Sequence, residues 1–105
     1  MATTKIVVSG EIRLDPDDFD AALALIEPLV AATRAEAGCI EYGYWVDPRD
    51  RGHVRVFEEW ESDDAIAAHS ASAHMKTFFA AMAKLRITSV DLSRFEIASK
   101  GPLAL

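Results

Sequence analysis

Four side chains able to do acid–base or aromatic work fall between Glu58 and His74, in the run Phe57 to Met75 (FEEWESDDAIAAHSASAHM). A carboxylate, an indole and two imidazoles thus gather around a strand-to-helix turn with Ser62 as its helix cap. His69 shares a helix face with Ile66, so it should point toward a sheet. Desolvation there lowers an imidazole's pKa and keeps it neutral, ready to accept a proton near pH 7. The same placement also suits a core histidine bonded to a backbone carbonyl. Glu58 alternates with Val56 and Trp60 on one strand face, where it either pairs with a histidine or hydroxyl in a pocket or is solvated at a fraying strand end. Trp60 is either core or a wall for a flat aromatic ligand. Tyr42 and Tyr44, on the helix-facing side of an earlier strand, could donate to a ligand oxygen or pack with their hydroxyls at the rim. Phe78, in a later helical stripe, would complete the pocket lining.

What is missing narrows the chemistry. His69 and His74 are five residues apart, roughly 140° on a continuous helix, a poor arrangement for shared ligation. Neither HExxH nor CxxC occurs, so no metal site is expected. The five glycines are dispersed and build no phosphate loop, so no nucleotide cofactor is expected either. His53, beside Gly52, reads as a surface residue, and Cys39 as a lone buried thiol. The 105 residues carry a formal net charge of -6 with the basic residues scattered, which argues against nucleic acid and anionic membranes. One cysteine allows no intrachain disulfide, and no apolar run reaches ~20 residues. A soluble, cytoplasmic protein is the expectation.

The elements that must position these residues follow from periodicity. Lys5–Leu14 alternates as a strand with Ile6, Val8, Ile12 and Leu14 on one face. Asp15-Pro16-Asp17-Asp18 is helix-start chemistry, and Phe19, Ala22, Leu23, Ile26 and Val30 recur at helical spacing to about Ala37. Pro28 should bend this helix and Gly38 end it. Strands follow at Cys39–Val46 and Val54–Trp60 across a polar hairpin. A helix starts after Ser62, breaks near Ser72 and continues as a stripe of Met75, Phe78, Phe79, Met82 and Leu85. Asp91–Ala98 reads as a last strand, and the tail from Lys100 as loose. The order βαββαβ over one domain, 1–105, predicts an α+β, ferredoxin-like antiparallel sheet with its helices on one face. The other face would carry Val7, Cys39, Trp45, Phe57, Phe95 and Ile97, too apolar for water, so a homodimer through that face is expected.

Arg34 to Tyr42 (RAEAGCIEY), Glu58 to Ser62 (EEWES), Ala68-His69 and Ala73 to Lys76 (AHMK) resemble the antibiotic-biosynthesis monooxygenase (ABM) family, most closely its quinol-monooxygenase branch. The resemblance implies a dimeric α+β barrel and cofactor-free oxidation of electron-rich phenols, quinols or anthrones by O₂. It places a small aromatic substrate between sheet and helices, near Trp60, His69, His74 and Tyr42. Haem-degrading relatives use a tryptophan at the position of His69 and a haem-ligating histidine at that of Phe79, so haem degradation is disfavoured. On this reading His69, or else His74, removes a phenolic proton, Glu58 orients the histidine, Tyr42 bonds the substrate oxygen and Trp60 stacks on the ring. Acid–base isomerisation of a small carbonyl compound, or a non-catalytic dimeric ligand-binding or stress protein, are the alternatives.

Overall fold

A computed structural model describes residues 4–105. Four strands, β1 (Lys5–Leu14), β2 (Cys39–Asp47), β3 (Asp50–Trp60) and β4 (Ile87–Ile97), form one antiparallel sheet in the order β2-β3-β1-β4. Helices α1 (Phe19–Arg34), α2 (Asp63–Ser70) and α3 (Ala73–Met82) join them. Register follows the alternation of the sequence: Ile6 pairs with Trp60, Val8 with Glu58 and Ile12 with Val54. Tyr42 sits opposite Glu58 from β2. Ile6, Val54, Val56, Trp60 and Tyr42 are therefore brought to one face and buried beneath Ala22, Ile26 and Leu29 of α1 and Met75, Phe78 and Met82 of α3.

Local chemistry sets the boundaries near the site. The Ser62 hydroxyl accepts from the Ala65 N–H and starts α2. Ser72 serves two helices: its hydroxyl donates to the His69 carbonyl (2.6 Å) and accepts from the Met75 N–H (3.3 Å). It thus closes α2 and caps α3, and the chain turns between them. Gly38 has φ +86°, which L side chains rarely adopt, and a Cβ there would lie 2.6 Å from the Ala65 Cβ. The turn into β2 can therefore press directly on the first turn of α2.

Several expectations need correction. Helix α1 ends at Arg34 rather than near Ala37, and a turn follows before Gly38. Strand β3 starts at Asp50, because Pro48 and Arg49 alone make the hairpin loop, and β4 starts at Ile87. Phe79 is exposed, since only the Met75–Phe78–Met82 side of α3 meets the core. His53 is not a free surface residue: its Nε2 lies 2.6 Å from Glu11 and its Nδ1 3.4 Å from Asp47. Lys100 Nζ lies 3.1 and 3.2 Å from the two oxygens of buried Glu59, whereas the tail beyond it is exposed and without regular structure, as expected. On the sheet face away from the helices, Trp45 and Phe95 are half exposed and Val7, Phe57 and Ile97 partly covered. The Trp45 ring lies over Gly43, within 2.3 Å of where a Cβ would stand, so glycine there lets the indole lie flat on the sheet.

Candidate active site

Interrupting the helix at Ser72 changes the geometry of the two histidines. On one continuous helix they would diverge; across the break their ring centroids are 6.1 Å apart and both face a single carboxylate, that of Glu36. His69 Nδ1 is hydrogen-bonded to Glu36 Oε2 at 2.8 Å. His74 Nε2 stands 2.7 Å from Glu36 Oε1, an ion-pair distance whose alignment falls short of a hydrogen bond, so that this nitrogen is buried without one. The angular argument against joint ligation therefore fails, because the three donor atoms lie within 4.8 Å of one another.

His69 is 4% exposed, with its ring 4.7 Å from that of Trp60 and 5.3 Å from that of Tyr42. Burial lowers its pKa below 6.5, against the opposing pull of the Glu36 bond, so the neutral imidazole is favoured at neutral pH. His74 is the more open ring. It lines an apolar cleft of roughly 350 Å³ between α1 and α3, with Leu25, Pro28 and Ala32 on one wall and Thr77 and Phe78 on the other. Pro28 cannot donate to the Ala24 carbonyl, and its ring becomes cleft surface. With Nε2 turned to Glu36, Nδ1 is the His74 nitrogen left for a molecule in the cleft.

The other candidates fall behind or beside this arrangement. Glu58 orients no histidine: its Oε1 accepts the Trp60 indole N–H at 3.0 Å in the core. Trp60 is fully buried and Tyr42 1% exposed, so both form the floor under His69 and neither lines the cleft. The Tyr42 hydroxyl is 3.2 Å from that of Tyr44, and the Tyr44 ring lies edge-on to Phe78. Burial raises both phenols, Tyr44 up to about 12, so they remain protonated donors. Tyr44 lines grooves between α1 and β2 instead. Burial also raises the Cys39 thiol, which keeps it from being a thiolate. Of the predicted set, the structure brings His69, His74 and Phe78 to the cleft or its carboxylate and leaves Glu58, Trp60, Tyr42 and Tyr44 as support.

Sequence reasoning missed Glu36. It lies 33 residues before His69, in the turn after α1, where a carboxylate ordinarily reads as solvated. A signal was present nonetheless: an acid beside the negative end of a helix dipole is unfavourable and asks for another reason to be there.

Burial raises the Glu58 carboxyl above its ordinary 4.5, with the indole bond opposing. A carboxyl raised in the folded state is best tolerated protonated. Its stabilising effect is complete below the unfolded value and is lost as pH rises through the folded one. Glu58→Gln keeps an oxygen for the indole N–H and removes the buried charge. Urea melts should give the variant the higher midpoint at pH 7, with the gap closing toward pH 4; a less stable variant at pH 7 would show that the charge itself is needed.

Comparison with known proteins agrees with this architecture. The antibiotic biosynthesis monooxygenase family profile matches residues 5–81. "Putative monooxygenase YcnE" of Bacillus subtilis is 26% identical over 93 residues, covering 89% of this chain and 98% of that protein. "Putative monooxygenase Rv0793" of Mycobacterium tuberculosis is 30% identical over 83 residues, 79% of this chain and 81% of its own. The crystal structure of Rv0793 superposes with a TM-score of 0.82 at 24% identity, over 95% of this chain and all of that one. An uncharacterized Synechocystis protein is 27% identical over 92% of this chain, which spans 66% of that relative's length.

Proposed function

Because the chain belongs to the antibiotic biosynthesis monooxygenase family, we propose that it is a cofactor-independent monooxygenase that oxidises an electron-rich phenol, quinol or anthrone-type substrate with O₂. The observation that carries this reading is the imidazole of His74, set on the wall of an apolar cleft and backed by the Glu36 carboxylate. A planar aromatic ring suits a cleft of this size and lining. His74 Nδ1 takes the phenolic proton, and Glu36 stabilises the imidazolium that forms, as a carboxylate does behind a histidine base. His69 holds the other oxygen of Glu36 and fixes its orientation. The phenolate passes one electron to O₂, and recombination at the ring carbon gives a peroxide. Loss of water from it leaves the quinone, so one oxygen atom enters the product and the other leaves as water. Two chains pairing through the outer sheet face would cover Trp45 and Phe95, each about half exposed in the single chain.

The test is oxygen uptake by chelator-treated protein across a panel of mono- and bicyclic quinols and anthrones. The expected result is uptake matched one to one by quinone formation. Turnover of a carbonyl substrate under nitrogen would move the same residues to an isomerase, and tight aromatic binding without turnover would leave a binding protein.

A further inference from the structure

We propose that Glu36, His69 and His74 also form a binding site for a first-row divalent cation, and that cation and substrate-derived proton exclude each other there. The donors are one carboxylate and two imidazole nitrogens, a set suited to zinc, cobalt and their neighbours. They come from three separate segments: the turn after α1, the last turn of α2 and the first turn of α3. Their spacing is close to that of a chelate. The contacts to Glu36 are 2.8 and 2.7 Å, and all three atoms lie within 4.8 Å. Ligands about 2.0–2.1 Å from a tetrahedral cation stand about 3.3 Å apart, so side-chain adjustments on the order of 1 Å suffice.

Two further observations point to a cation. His74 Nε2 is buried 2.7 Å from the carboxylate yet makes no aligned hydrogen bond to it, a contact that a cation seated between the two groups would satisfy. Among the described residues no lysine or arginine forms an ion pair with Glu36, whose partners are the two histidines. Of the three ligands, His74 also lines the cleft alongside.

Coordination at Nε2 leaves the proton of the neutral imidazole on Nδ1, the nitrogen assigned above to the substrate. A loaded site therefore cannot accept the phenolic proton. Cation binding itself does not depend on the proposed oxidation; only the exclusion rests on it.

The experiment titrates Co²⁺ into the chelator-treated 105-residue chain, read by visible d–d absorption, with Zn²⁺ followed by calorimetry. One equivalent should bind. Glu36→Gln and His74→Ala, each checked by circular dichroism, should weaken binding by more than about 100-fold, beyond the loss expected for an outer-shell partner. His53→Ala, which removes the other histidine–carboxylate cluster, should bind as the native chain does. Native-like titration by Glu36→Gln and His74→Ala, or loss of the signal in His53→Ala, overturns the site. Quinol oxidation should fall in proportion to Zn²⁺ occupancy and return with chelator; full turnover by the saturated protein overturns the exclusion. A chain that binds cation through these residues but never consumes oxygen keeps the site and removes the oxidase reading.

Discussion

Replacing His74 by alanine should lower oxygen uptake with the preferred quinol by ~10²–10⁴-fold, the usual contribution of a positioned general base, and leave folding close to native. The effect should be large because His74 offers the cleft a nitrogen, whereas His69 is enclosed by Trp60, Tyr42 and Glu36. Stability should change little: the ring is partly exposed, and its buried nitrogen makes no aligned hydrogen bond that would be lost. Deprotonation being the lost step, the defect should fall on kcat with KM nearly unchanged. Substrates acidic enough to enter as phenolates should be oxidised by the variant almost as well as by the native chain. Equal losses for acidic and ordinary phenols, or a loss confined to KM, would turn His74 into a binding residue and leave the proton transfer without an owner. The same measurement on His69→Gln separates the roles. A positioning residue should cost less than the base, and the cost should persist as Glu36 loses its alignment.

Most of what positions this base can be read in the sequence, for reasons visible in individual residues. Alternation in β1 and β3 brings Ile6, Val8, Val54, Val56 and Trp60 to one face, because the strand period is two and one face is covered. Ser62, Ser72 and Gly38 announce their turns since each supplies something local, a cap hydroxyl or a positive φ. Local chemistry ends there. That Ser72 breaks the helix is legible; that the break swings His74 back toward the carboxylate of Glu36 is not, because no spacing rule spans a turn and a change of helix axis. A carboxylate on an apolar strand face asks for a partner, but the strand pattern does not say which: Glu58 finds the indole two residues along the same face rather than a histidine. Phe79 failed for a related reason: a helical stripe tells which residues share a face, not how wide a face the neighbouring sheet can cover. Strand β4 at the sheet edge leaves Val90 and Leu92 exposed by the same shortfall.

Truncating Trp60 to alanine should be the most damaging single change to the fold. The indole is fully buried, packs against Tyr42 and His69 and gives its N–H to Glu58. Removing it from a close-packed core costs about 3–5 kcal/mol. Leaving the Glu58 carboxylate buried without its donor costs about 1–3 kcal/mol more. Against a typical domain stability of about 5–15 kcal/mol, the variant should lose from about a quarter of its margin to all of it, with near-UV circular dichroism collapsing first as the floor under His69 gives way. Trp60→Phe divides the two contributions, since it keeps much of the ring and deletes the N–H. Combined with Glu58→Gln in a double-mutant cycle read by urea denaturation, it should show a coupling of about 0.5–3 kcal/mol between the pair. Additive single changes would mean that the indole acts by volume alone and Glu58 is solvated. A Trp60→Ala variant that melts within about 1 kcal/mol of the native chain would mean that the cavity collapses freely, which a tightly packed interior does not do.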